Sequence, residues 1–386
     1  MIERSLTAKI RAYIRIFPIV TITGPRQSGK TTLLKYLLPE WSYVSLEDPD
    51  NLLFAEDDTR GFLETNKPPL IIDEAQKSPK LFSYIQTKAD GSNKAGQYIL
   101  SGSQNFLLLE KISQSLSGRA GILTLMPLNF NELRAAGFAL KEPELCLFRG
   151  FYPAVWSQKI NPGDYYPSYV QTYLERDLRQ IIHIADLHLF QKFLKLCAGR
   201  TGQILNLASF ASDCGVSHNT IRSWISVLEA SHIVFLLPPY FKNINKRLVK
   251  SSKLYFWDAG LASYLLGVEN EKQIETHPLR GALFETMMIA EILKNFLNIG
   301  KRASASFFRD KTGHEVDLLI EKAGGQKAIE IKAGQTVNSD FFDQLLYWQR
   351  VSGTKNKDLF LVYAGEKNET RTKTSVLSWK NVMPFI

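Results

Sequence analysis

A chain of 386 residues exceeds what one ordinary hydrophobic core organises and suits two or three domains. With 45% hydrophobic and 22% charged residues it has the composition of a soluble globular protein, without internal repeats, low-complexity tracts or the ~18–20 uncharged apolar residues in a row that a bilayer span requires. A formal net charge of +9 suggests a polyanionic partner, while three scattered cysteines at neither disulfide-framework nor zinc spacing imply a reducing compartment, for which the cytoplasm is the simplest reading.

Met1-Ile2-Glu3-Arg4-Ser5 lacks the apolar core of a signal peptide, so neither secretion nor membrane anchorage is expected. The β-branched run Ile19-Val20-Thr21-Ile22-Thr23 reads as a buried strand. It leads into Gly24-Pro25-Arg26-Gln27-Ser28-Gly29-Lys30-Thr31 and then a helical stretch from Thr32 to Leu38, which is GxxxxGK[ST] in its strand–loop–helix setting. Glycines let the backbone wrap closely enough for amide N–H groups to point at phosphate oxygens, and the helix N-terminus adds positive potential there. Residues Gly24 to Thr32 are therefore the expected ATP-binding segment, with Lys30 reaching the β- and γ-phosphates and the Thr31 hydroxyl binding Mg²⁺.

Leu70-Ile71-Ile72-Asp73-Glu74 supplies the second part such a site needs, a buried strand ending in carboxylates. Asp73 is expected to hold Mg²⁺ through water, and Glu74 to orient or deprotonate the attacking water. Tyr43–Leu46 and Tyr98–Ser101 read as two further parallel strands, alternating with helices at Asn51–Thr65 and Pro79–Ala89. Beyond Ser101, Ser103 (or Gln104) is a candidate γ-phosphate sensor, with a loop of turn residues as the plain alternative. Arg119, after Gly118, would supply charge to that phosphate in cis or across a subunit boundary in a homo-oligomer.

From Pro127 to Asp186 the pattern is mainly helical, including Tyr165–Ile182, with Arg176 and Asp177 read as a surface or interdomain pair. Leu207–Ala211 starts a short helix, Cys214-Gly215-Val216-Ser217 turns, and Ser217 caps a helix from His218 to Ala230 whose Ile221, Trp224, Ile225 and Leu228 share one face. This is helix-turn-helix grammar. Ile233–Leu237 and Lys253–Trp257 can pair as wing strands, and Lys242, Lys246, Arg247, Lys250 and Lys253 suit contacts to DNA phosphates. His218, Asn219, Arg222 and Ser223 are the exposed recognition positions, although winged helices also serve as protein docking modules.

Gly281 to Leu297 reads as an amphipathic helix, followed by strands at Phe307–Arg309, Glu315–Ile320, Ala328–Lys332 and Leu359–Tyr363, with a helix at Ser339–Arg350. Glu330 and Lys332 lie two apart on a strand and share a face, where the Asp317 carboxylate can meet Glu330. Two carboxylates can bind a hard divalent cation, Glu285 from the helix can add a ligand, and Lys332 can orient water or stabilise charge on phosphate. The plain alternative is a Glu–Lys surface pair worth little energetically.

The motifs at Gly24–Thr31, Tyr43–Pro49, Ile71-Ile72-Asp73-Glu74-Ala75-Gln76, Ile99–Gln104, Ser117-Gly118-Arg119 and Pro127–Leu133 resemble, in order, the prokaryotic AAA-type ATPases paired with a C-terminal DUF4143 region. The resemblance spans nearly the whole chain and implies that Arg119 is a candidate arginine finger. Asp317, Glu330 and Lys332 resemble the PD-(D/E)xK nuclease core, with Asp317, Glu330 and Lys332 as catalytic candidates and Glu285, Asp317 and Glu330 as metal candidates. The expected architecture is α/β: a P-loop NTPase parallel-sheet domain over 1–126, a helical lid or connector over 127–186, a winged helix over 187–262 and a restriction-endonuclease-like domain over 263–386. Two functions compete. One is a DNA-associated ATPase with a nuclease-like domain that cleaves phosphodiesters, and the other an ATP-driven regulatory switch whose C-terminal domain only binds DNA or protein.

Overall fold

The computed structural model describes residues 1–92, 94–103, 116, 118–175, 186–240, 251–322, 325–371, 374–382 and 385. The chain forms two compact units, the first built mainly from Met1–Ala136 and the second mainly from Gly137–Glu229, Ile233–Phe296 and Arg302–Ile386. Among the described residues no helix is long and apolar enough to cross a membrane.

The first unit is a five-stranded sheet in the order β2-β3-β4-β1-β5. Its strands are β1 (Ile19–Thr23), β2 (Ser42–Ser45), β3 (Leu70–Asp73), β4 (Tyr98–Ser101) and β5 (Ala120–Thr124). All four neighbouring pairs run parallel. Alternation of side chains across each strand splits the apolar residues between two faces. Ile19, Leu70, Ile72, Tyr98 and Leu100 pack with Phe62, Phe82 and Ile85 on one side. Val20, Ile22, Ile71, Ile99 and Leu123 pack with Ile10, Leu33 and Leu34 on the other. A sheet covered on both faces buries both sides of its inner strands, so β1 and β3 are buried throughout and apolar apart from Thr21, Thr23 and the terminal Asp73.

The expected helix Asn51–Thr65 is two helices, Pro49–Asp57 and Thr59–Thr65. Asp58 ends the first and caps the second, its side chain accepting from Gly61 N at 2.8 Å, so an Asp that prefers the N-cap interrupts the run.

In the second unit, helices Leu187–Gly199, Leu207–Cys214 and His218–Ala230 precede an antiparallel pair of β6 (Val234–Leu237) and β7 (Lys253–Phe256). Gly215 ends the middle helix with φ +72°, the left-handed conformation that glycine adopts without strain. Ser217 Oγ accepts from Thr220 N at 3.1 Å, as the sequence led one to expect of a cap. Upstream, the helix Pro162–Tyr169 passes into a π-helical stretch, Val170–Glu175, while Arg176 and Asp177 lie outside the described residues.

The second unit also carries a six-stranded sheet in the order β12-β13-β11-β10-β9-β8. Its strands are β8 (Ser304–Arg309), β9 (Glu315–Lys322), β10 (Gly325–Lys332), β11 (Leu359–Tyr363), β12 (Glu369–Arg371) and β13 (Thr374–Ser378). β8, β9 and β10 form antiparallel neighbours, whereas β10–β11 and β11–β13 are parallel. Leu345 and Trp348, from the helix Asp343–Ser352, pack with Phe308, Val316, Leu319, Ala328 and Leu361 into the core beneath the sheet.

Candidate functional site

Between β1 and the helix Lys30–Leu37 the backbone turns through two left-handed positions, Gln27 at φ +59° and Gly29 at φ +91°. Gly24, at φ +143°, runs so close to β5's end that a Cβ there would lie 2.1 Å from the Leu125 carbonyl oxygen. Only glycine fits. Arg4, buried from the N-terminal segment, donates to Ser28 O at 2.7 Å and pairs with Glu132 at 3.2 Å, which ties the loop to the unit's interior. Lys30 Nζ donates to Gly24 O at 3.0 Å and Pro25 O at 2.9 Å. Burial pulls its pKa down to about 8, a loss that the nearby charges of Glu74 and Asp73 only partly offset. Arg26 pairs with Glu47 at 3.0 Å, and Thr32 is exposed one position beyond Thr31.

Strand order explains how the distant motifs meet. β4 lies between β1 and β3, and Ser101 is opposite both Ile22 and Asp73. Asp73 therefore ends beside the phosphate loop's helix, where Thr31 Oγ1 donates to its Oδ2 at 2.6 Å. Tyr43 OH donates to the same oxygen at 2.9 Å, while Ser101 Oγ and Glu74 N reach Oδ1 at 2.6 and 3.1 Å. Burial and the neighbouring Asp73 carboxylate hold the Tyr43 phenol protonated well above its ordinary range. A carboxylate fixed against a threonine hydroxyl is an oxygen-donor arrangement that fits Mg²⁺.

Glu74 follows in a left-handed conformation, φ +54° and ψ +40°, which swings its side chain back toward β4. Ser103 Oγ donates to its carboxylate at 3.1 and 3.2 Å, and Gln76 Nε2 donates to Oε2 at 2.5 Å. Ser103 is an expected member of this neighbourhood and Gln76 is not, because its return to Glu74 depends on the Glu74 backbone twist. Arg119 is partly exposed and paired with Asp90 of the helix Lys80–Ser92. Gln104 lies outside the described residues.

A second cluster of ionised groups lies in the other unit. The β9–β10 ladder runs to Ile329 opposite Leu318, and there the Asp317 carboxylate takes the Ile331 N–H at 2.8 Å. Lys332 Nζ pairs with Glu330 Oε1 at 2.7 Å, while Glu330 Oε2 is buried with no partner among the described residues. Burial, then the charges of Glu330 and Glu285, push the Asp317 carboxyl well above its usual range. Burial likewise lifts Glu330 to about 7 despite the opposing pull of Lys332. Asp317, Glu330 and Lys332 thus lie close together on neighbouring strands.

Two expectations fail here. Lys253 was expected to face DNA phosphates, but its side chain is 3% exposed and pairs with Glu285 at 3.1 Å and with Glu315. Burial opposes its charge, yet Glu285, Asp317 and Glu315 outweigh that and hold it protonated above the ordinary lysine range. Nor do Glu285, Asp317 and Glu330 form the expected three-ligand metal set, and among the described residues no group of three or more His, Cys, Asp or Glu side chains is arranged to hold a metal. The reason is local: Glu285 is engaged by Lys253 and by Tyr255 OH at 2.5 Å, so a tethered ammonium takes the place beside it. Lys242, Lys246, Arg247 and Lys250 lie outside the described residues. His218, Asn219, Arg222 and Ser223 are exposed on their helix.

Comparison with known families matches three successive stretches of the chain. Residues 17–134 match the family described as an AAA domain, residues 141–272 a domain of unknown function, DUF8612, and residues 280–382 a domain of unknown function, DUF4143. An uncharacterized protein of Mycobacterium tuberculosis is 28% identical over 339 residues, 86% of this chain and 74% of that one. An uncharacterized protein of Methanocaldococcus jannaschii is 22% identical over 340 residues, 80% and 73% of the two chains. Among solved structures, a Walker-type ATPase of Pyrococcus abyssi aligns loosely, with a TM-score of 0.48 and 14% identity over 69% of this chain and 96% of that one. The AMPPCP-bound DnaA of Aquifex aeolicus aligns with a TM-score of 0.29 and 15% identity over 58% and 85%. The chain thus carries an AAA domain followed, toward its C-terminus, by a DUF4143 region.

Proposed function

We propose that this ATPase hydrolyses ATP with Mg²⁺ between Gly24–Thr32 and the Asp73–Glu74 step, and uses the cycle to control a DNA-associated C-terminal region. The single observation that carries the reading is the 2.6 Å contact between the Thr31 hydroxyl and the Asp73 carboxylate, two segments 42 residues apart joined at the mouth of the loop. Loop amides and Lys30 bind the phosphates, and the Thr31 hydroxyl and Asp73 hold the cation. Mg²⁺, when bound, neutralises charge that builds on the phosphate oxygens. Glu74 takes a proton from the attacking water as its oxygen bonds to the γ-phosphorus and the bond to the bridging oxygen breaks, leaving ADP and inorganic phosphate. Arg119, freed from Asp90, supplies charge to the transferring phosphoryl group in cis or from a neighbouring copy. Lys30→Ala should abolish measurable binding of a fluorescent ATP analogue; binding at parental affinity would contradict the assignment.

For the second unit the reading is a winged helix spanning Leu187–Phe256 and a nuclease-like core, together a DNA-binding module. Support comes from three helices followed by an antiparallel pair, and from the exposed face carrying His218, Asn219, Arg222 and Ser223. A second reading, Mg²⁺-dependent phosphodiester cleavage at Asp317, Glu330 and Lys332, is favoured by the unpartnered Glu330 Oε2 in a buried carboxylate pair. Incubating the protein with DNA and Mg²⁺ or Mn²⁺, beside Asp317→Ala, separates the two. Cleavage lost in the variant supports the nuclease, and salt-sensitive binding without cleavage supports the module.

A further inference from the structure

We propose that Gln76 is the positioning residue for Glu74, holding the base's carboxylate in one plane with the help of Ser103. The proposal rests on the reading of Glu74 as the base. A glutamate that acts on water must present one oxygen at one place, yet its three side-chain torsions leave it free to wander among rotamers. The fold removes that freedom. Glu74's left-handed backbone turns the chain into the short 3₁₀ segment Ala75–Lys77, closed by Lys77 N donating to Glu74 O at 3.0 Å. That turn carries Gln76 back so that its Nε2 meets Glu74 Oε2 at 2.5 Å. From β4's end, Ser103 Oγ closes on both carboxylate oxygens at 3.1 and 3.2 Å.

Stability alone does not explain a glutamine here. Gln76 is 6% exposed, and its Oε1 is buried with no hydrogen-bond partner among the described residues. Leaving such an oxygen unsatisfied is destabilising, a cost that an apolar side chain of similar volume would avoid. Only the NH₂ side of the amide can face a carboxylate, so the orphaned Oε1 is the consequence of aiming Nε2 at Glu74. The side chains that reach Asp73 are Thr31, Tyr43 and Ser101, so Gln76 and Ser103 act on Glu74 and not on the cation ligand.

The test is steady-state ATP hydrolysis by the full chain, with Gln76→Ala, Gln76→Glu and Glu74→Gln. Gln76→Ala should lower kcat roughly 10- to 100-fold, part of the ~10²–10⁴ that a placed base contributes, while the KM for ATP stays within about twofold. Gln76→Glu replaces the donor with a carboxylate that repels Glu74, so kcat should fall at least as far as in Gln76→Ala with the KM for ATP again within about twofold, whereas a damaged site would raise KM as well. Adding Gln76→Ala to Glu74→Gln should cause no further loss, because the two act as one unit. Parental kcat in Gln76→Ala or in Gln76→Glu overturns the proposal. A parental rate in Glu74→Gln instead removes the base assignment beneath it.

Discussion

Lys253 illustrates how a single charge is decided by its surroundings. A lysine at the start of a strand in a basic stretch of sequence invites assignment to a polyanion, yet this one is enclosed with Glu285, Glu315 and Asp317 as electrostatic neighbours. Removing one partner of a buried pair leaves the others uncompensated, a loss of about 3 kcal/mol before screening of the partly exposed glutamates reduces it. Lys253→Met should therefore lower the unfolding midpoint in denaturant while leaving the salt dependence of DNA binding unchanged; a shallower salt slope with unchanged stability would return Lys253 to the phosphate-contact role. Glu330 gives a pH test with an unusual sign. Its folded pKa, about 7, lies above the ordinary carboxylate value, so between the two the folded state holds the proton more tightly. The stability it contributes is full below the ordinary carboxylate range and fades as pH rises through about 7. In chelator, the parental protein should lose stability across that window and Glu330→Gln should lose less, as read by thermal unfolding; identical profiles would contradict it.

Among elements, the loop from β1 into the helix Lys30–Leu37 depends on close backbone approach. Gly24 has no room for a methyl group, because Leu125 O would sit 2.1 Å from it, whereas a methyl at Gly118 would meet nothing within 4 Å. Gly24→Ala should displace the loop, destabilise the first unit by on the order of 2 kcal/mol and sharply weaken nucleotide binding; Gly118→Ala, strained in backbone but not crowded, should retain it. Equal nucleotide affinity in the two variants would show that crowding at Gly24 is not what shapes the loop.

Much of this element-level design was legible from residues alone. The run Ile19 to Thr31 carries both the apolar strand and the glycine spacing, and Leu70–Glu74 carries the second strand with its acids. Sequence did not reveal β5, since Ala120-Gly121-Ile122-Leu123-Thr124 is an edge strand with Ile122 exposed, nor the break at Asp58, where capping outweighs helical periodicity. Gln76 was visible as a letter only, because a side chain's return to a neighbour two residues back depends on Glu74's backbone twist. Glu285's engagement by Lys253 was likewise hidden, since it joins a strand and a helix 32 residues apart.

At the scale of the whole molecule, one unit carries the phosphate loop and the Asp73–Glu74 step, and the other the helix face with His218, Asn219, Arg222 and Ser223 and the sheet that bears Asp317, Glu330 and Lys332. DNA binding, if carried by the second unit, should weaken steeply with added salt and persist in Lys30→Ala; loss of binding in that variant would make nucleotide a requirement for DNA contact. The account stands most directly on release of inorganic phosphate by Glu74→Gln in saturating ATP and Mg²⁺. The expected result is a rate lower by at least about 100-fold with ATP affinity within a few-fold of the parental protein. Phosphate release at the parental rate would contradict it.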